Sequence, residues 1–155
     1  AIESDSFYSI WNFNSASKTA TQIIPDSPNF EGAGGIAQTP DGKLLYTRRD
    51  GKDTHIWMSD ADGKNQRQIT SEATDDFGPA VSPDGKYIVF SSLRSGSARI
   101  WRTDIDGKNP VQLTEEDSTS GDHNPVVTAD SKFVIFNKAY SGDKQTSVIL
   151  KIPID

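Results

Sequence analysis

The chain has 155 residues and a formal net charge of −6, from 22 acidic and 16 basic side chains. That balance opposes a phosphate backbone, which needs a dense stripe of lysine and arginine to displace counterions, so no nucleic acid is expected as a partner. Hydrophobic residues at 34% and charged residues at 25% fit a folded, strand-rich domain; no apolar run approaches a membrane span, and no cysteine supplies a disulfide or thiolate. Ala1 rather than Met opens the chain, with no signal-like segment behind it, and we read a processed or excised product.

In chain order, residues 1–24 ("FYSIWNFN", "TATQII") predict strands c and d of an incomplete first unit. Residues 25–70 predict a complete unit of four strands, and 71–114 a second. Residues 115–155 predict strands a to c of a last one, in "PVVTA", "KFVIFNK" and "SVILKIPI". Strand a of each unit runs into a Pro-Asp-Gly turn, because proline presets one backbone angle and glycine tolerates a positive φ. Pro40-Asp41-Gly42-Lys43 matches Pro83-Asp84-Gly85-Lys86, and a decayed copy reads Ala129-Asp130-Ser131-Lys132.

Strand b ("KLLYTRR", "KYIVFSS", "KFVIFNK") is a short continuous apolar run, which suits a strand covered on both faces. Strand c carries Ile56-Trp57 and Ile100-Trp101, with an earlier Ile10-Trp11. Asp-Gly then predicts a tight hairpin with both turn positions left-handed. Strand d closes each unit, where Gln68-Ile69 and Gln112-Leu113 repeat Gln22-Ile23. The period of about 44 residues lies in the range of four-stranded propeller blades. The expected fold class is all-β: β-propeller blades of four antiparallel strands, in a partial ring of about three to three and a half blades.

"SPDGKYIVF" followed by "RIWRTDIDGKNPVQLT" resembles the repeat of TolB-like (WD-like) β-propellers, a repeat also found in propeller domains of some peptidases and bacterial kinases. The resemblance covers nearly the whole chain, most strongly residues 36–114. It implies a ring of six blades, which a second chain completes, and an extracytoplasmic, periplasmic protein–protein role. The alternative it leaves open is a propeller fragment of an enzyme: the gating or sensor domain of a peptidase or kinase, or a sugar-active propeller. Too few blades to close a ring predict either a homo-oligomer or a piece of a longer propeller.

Other residues invite chemistry and decline it. Placing Gly63 or Gly107 at the sixth position of a calcium loop puts Met58 or Arg102 first and Ile69 or Leu113 twelfth, so neither turn is an EF-hand. Gly32-Ala33-Gly34-Gly35 lacks the Lys-Ser/Thr of a phosphate loop. Two histidines without cysteine make a poor zinc set, and no Gly-x-Ser-x-Gly elbow is present. His55, on strand c where the next unit has Arg99, is expected at the surface. Trp11, Trp57 and Trp101 recur once per unit, which favours packing between blades. No catalytic residue, cofactor or metal is expected.

The d–a and b–c connections share one face of a blade, vary between copies and sort by charge. The d–a connections carry Asp26, Glu31, Glu72, Asp75, Asp76, Glu115, Glu116, Asp117 and Asp122. The b–c connections carry Arg48, Arg49, Lys52, Arg94, Lys138 and Lys144 among a few aspartates. Phe77-Gly78, His123-Asn124 and Gly34-Gly35 stand where the chain enters the innermost strand. The binding residues expected on this face are Phe77, Asp76, Asp122, His123, Asn124, Arg49 and Arg94, for a protein or peptide partner.

Overall fold

A computed structural model describes residues 8–27, 35–72, 74–115, 119–141 and 146–155, and its regular structure is all β. Strands β1 (Tyr8–Asn14) and β2 (Thr19–Ser27) form a two-stranded sheet. A four-stranded sheet follows from β3 (Ile36–Gln38), β4 (Leu44–Asp50), β5 (Asp53–Ser59) and β6 (Arg67–Gln68). The next has the same order in β7 (Asp76–Val81), β8 (Tyr87–Ser92), β9 (Arg99–Asp104) and β10 (Val111–Gln112). The last is three-stranded, from β11 (Ser120–Val127), β12 (Phe133–Tyr140) and β13 (Thr146–Pro153). Every pairing is antiparallel between sequence neighbours, so each sheet is a meander. The whole is an open, partial propeller.

The core lies between sheets. Leu45, Ile56, Met58 and Ile69 of the second sheet pack against Ile88 and Phe90 of the third. Val89 and Ile100 of the third pack against Val127, Val134, Phe136 and Ile154 of the fourth. Ile10 and Ile24 of the first cover Leu44 and Tyr46 of the second. The continuous apolar runs of β4 and β8 therefore lie buried on both faces, as a strand sandwiched between two neighbouring blades must.

Trp57 joins the cluster shared with the first sheet, and Trp101 the one shared by the second and third. Both indoles thus point to the preceding blade. Trp11 has no preceding blade among the described residues, and it is 54% exposed. The packing role expected of the tryptophans holds for two of the three.

Two expectations need correction. His55 is not at the surface: it is only 6% exposed, and Arg99 at the equivalent place is fully buried. The start of strand c sits under the innermost strand of the following sheet, where the Asp122 backbone N–H donates to the Ala98 carbonyl at 2.9 Å. The Asp-Gly turns are also one residue longer than a two-residue hairpin. Gly63 N–H donates to Asp60 C=O at 2.9 Å and Asp60 N–H to Lys64 C=O at 2.9 Å. Gly63 has φ 80° while Asp62 is not left-handed, which is a type I turn closed by a glycine bulge. Gly107 repeats the arrangement with φ 94°.

Candidate binding face

The innermost strands begin with a shared irregularity. Register shifts between Phe77 and Ala80 in β7, and between His123 and Val126 in β11. At this bulge Gly78 has φ 64° and Asn124 φ 53°, and Gly35 at the matching place in the second sheet has φ 95°. Asparagine tolerates the left-handed region better than other side chains, so it replaces glycine here without breaking the pattern. A methyl group on Gly35 would lie 3.3 Å from the Gly78 Cα, so neighbouring strand starts touch. Gly34 lies outside the described residues.

This convergence brings Phe77 and His123 together from adjacent blades. Their rings stack with centroids 6.0 Å apart and an interplanar angle of 24°. Both side chains are half-buried and Asn124 is exposed. Gly121 makes room for the imidazole: a Cβ there would lie 2.6 Å from His123 Nε2. Beside them, a cavity of about 510 Å³ is lined by Gly121, His123, Ala139, Tyr140, Ser141 and others.

The acidic candidates sit differently. Asp76 is fully buried, and Arg94 Nη2 donates to both of its carboxylate oxygens at 3.0 Å. The same guanidinium lies 4.6 Å from the Trp101 ring centroid and donates through Nε to Ser92 Oγ at 2.9 Å. Asp122 is buried between Arg99 Nη1 at 3.7 Å and Lys138 Nζ at 3.9 Å. Both carboxylates therefore answer cations within the protein. Arg94, with a side chain only 12% exposed, links loop to strand rather than reaching into solvent. Arg49 is exposed at the end of β4, next to Arg48, whose guanidinium lies 4.6 Å from the Trp57 ring centroid.

Charge sorting across the face is thus partly internal pairing, with Asp75 also accepting from the Thr54 backbone N–H at 2.9 Å. Glu72 and Glu115 are exposed. Glu31, Glu116, Asp117 and Lys144 lie outside the described residues, and the side chain of Asp26 is likewise not described.

The opposite face consists of the Asp-Gly turns. Asn65 donates to Asp60 and Asn109 to Asp104, while Lys64 and Lys108 each reach back to the aspartate two residues earlier. The Asn65 hydrogen bond, with help from Lys43, holds the Asp60 carboxyl below the ordinary range. The Lys108 hydrogen bond does the same for Asp106. Their oxygens accept from Asn65 and Lys43 at Asp60 and from Lys108 at Asp106, and among the described residues no three acidic or histidine side chains gather to hold a metal.

Radially stacked antiparallel meanders, tryptophans facing the preceding blade and converging inner strands define a β-propeller segment. A profile of the TolB beta propeller domain matches residues 15–152. The chain belongs to that family. A search of curated protein sequences finds no match. Among solved structures, TolB from Acinetobacter baumannii superposes with a TM-score of 0.75 at 22% identity, over 94% of this chain and 37% of that one. A putative TolB from Agrobacterium tumefaciens gives 0.70 at 23%, over 96% and 57%. Porphyromonas gingivalis dipeptidyl peptidase 4 gives 0.71 at 16%, over 96% and 21%. The chain spans well under two thirds of the length of each, and identities this low speak for the fold.

Proposed function

We propose that this chain is a non-catalytic propeller scaffold that binds a protein or peptide through the face carrying its d–a and b–c connections, outside the cytoplasm. The Phe77–His123 stack carries the reading. Two blades converge to present an aromatic ring and an imidazole side by side, with the exposed Asn124 amide next to them. Aromatics at the centre of such a surface are the costly ones to truncate. Arg49 supplies positive charge at the rim, whereas Arg94 and the two buried aspartates shape the face from beneath. The family resemblance supports the extracytoplasmic setting and a ring of six blades completed by a second chain or by further blades.

The second reading, a propeller portion of an enzyme, is favoured by the likeness to a peptidase structure. Against it, Asp76 and Asp122 are buried in ion pairs, where a general acid or base needs access to a substrate proton.

The test compares Phe77→Ala with a paired Lys64→Ala, Lys108→Ala variant in capture and affinity measurements on a partner. Phe77→Ala is expected to weaken binding by about 2 kcal/mol or more, roughly thirtyfold, and the lysine pair to leave it nearly unchanged. The reverse pattern puts binding on the Asp-Gly face.

A further inference from the structure

We propose that Asp50–Gly51, at the tip of the β4–β5 hairpin, is a spontaneous modification site, where the main chain passes through a succinimide to isoaspartate. The sequence holds five Asp-Gly-Lys triplets, starting at Asp41, Asp50, Asp62, Asp84 and Asp106. The reacting pair and the residue after it are the same in each, so differences in rate come from the fold. In the reaction the Gly51 amide nitrogen attacks the side-chain carboxyl carbon of Asp50, and glycine, with no Cβ, obstructs that approach least. A nitrogen–carbon bond forms, the carbon–hydroxyl bond breaks, and the hydroxyl leaves with the amide proton as water. Solvent water then reopens the ring at either carbonyl. Breaking the new bond restores aspartate. Breaking the old peptide bond leaves isoaspartate, with a free α-carboxylate and one extra carbon in the main chain.

Four of the five pairs are locked. Their glycine N–H closes a turn: Gly42 donates to Thr39 C=O at 2.9 Å, Gly63 to Asp60 at 2.9 Å, Gly85 to Ser82 at 2.8 Å and Gly107 to Asp104 at 2.9 Å. The nitrogen cannot turn toward the carboxyl carbon without giving up that bond. The carboxylates are held as well. Lys64, Lys86 and Lys108 each donate a backbone N–H to the aspartate two residues earlier, and Thr39 Oγ1 donates to Asp41. Hydrogen bonds from Lys64, Ser82 and Lys108 hold the Asp62, Asp84 and Asp106 carboxyls below the ordinary range. They stay ionised, and a carboxylate is a poorer electrophile than the acid.

Gly51 is placed differently. β4 and β5 pair through Asp50 and Asp53, so Gly51 and Lys52 alone make the turn. Gly51 is left-handed at φ 64° and Lys52 is not, which is a type II′ hairpin. There the closing bonds belong to the flanking strand residues, and the N–H of the first turn residue points outward. The Gly51 N–H accordingly makes no hydrogen bond among the described residues. Both turn residues are exposed, and a Cβ on Gly51 would meet nothing within 4 Å. The hairpin is one of the b–c connections, so the inserted carbon falls next to Arg49 on the face that carries Phe77.

The reaction needs no partner on that face, so it and the binding there can fail separately. In the test, the intact chain is held at neutral pH and body temperature, with a second sample in urea. Isoaspartate is counted with protein L-isoaspartyl methyltransferase and tritiated S-adenosylmethionine, and located by electron-transfer fragmentation of proteolytic peptides. In the folded chain Asp50 is expected to convert at least about fivefold faster than any of the other four, the protection that one turn hydrogen bond gives. In urea the five rates should come together. Asp50→Glu should abolish the folded chain's signal at this pair and leave the melting temperature unchanged, because the larger ring forms poorly. Similar rates at all five pairs in the folded chain, or faster reaction at one of the other four, overturns the site. So does absence of product at Asp50 once the urea sample has reacted.

Discussion

Gly107 leaves no space for a methyl group. Its φ is 94°, and a Cβ would lie 2.5 Å from the Ile69 carbonyl oxygen, which belongs to strand d of the preceding blade. Gly63 meets the Ile23 carbonyl in the same way. Each Asp-Gly turn is therefore both a chain reversal and a seat on the neighbouring blade. Gly96 has the same φ of 94° but nothing within 4 Å of a built Cβ, so it isolates the backbone term. Gly96→Ala should cost about 1–2 kcal/mol, the strain of a left-handed non-glycine residue. Gly107→Ala should cost clearly more, because backbone must move as well. Urea denaturation of the two variants checks this, and equal losses would remove the packing role. The turn is legible in the sequence as Asp-Gly; the close approach is not, since it depends on a carbonyl that the repeat places about one period away.

At the scale of the element, strand c organises the blade. Trp101 is held between the core of the preceding blade and the Arg94 guanidinium, which is anchored in turn by Asp76. Removing it opens a cavity and leaves the buried ion pair without its cover. Trp101→Ala should cost roughly 3 kcal/mol, the lower end for a deleted buried aromatic because the indole keeps some exposure. Trp11→Ala, at a ring more than half exposed, should cost less than about 1 kcal/mol. Similar losses at both positions, measured by denaturant unfolding, would contradict an interface role specific to Trp101. The once-per-unit Ile-Trp made this packing readable. Charge was less readable: Arg94 and Asp76 look like loop charges of opposite sign, and only the fold shows that they meet underneath. His55 and Arg99 misled for a related reason. Polar residues at a strand start suggest solvent, yet the following blade covers them.

Over the whole molecule, the partial ring follows from repeated turns and tryptophans, but the closeness of Phe77 and His123 does not. It needs two bulges, one built on glycine and one on asparagine, to turn two strand starts inward together. The same open ring leaves two unlike apolar faces. Trp11 and Phe13 are 54% and 60% exposed on the first sheet; Val126 and Ile149 are 60% and 74% exposed on the last. Within the chain, faces of these two kinds pack on each other at every blade boundary, so the exposed pair is complementary. Exposed apolar side chains on facing sheets of this sort favour association, and the head-to-tail sense makes it heterologous. In light scattering the isolated chain should show a mass above the 16.9 kDa of one copy, rising with concentration. Replacing Trp11 and Phe13 together by Ser should return it toward a single copy while the melting temperature holds, because neither side chain belongs to the buried clusters. A wild-type chain that stays monomeric at high concentration would mean that these faces do not recognise each other.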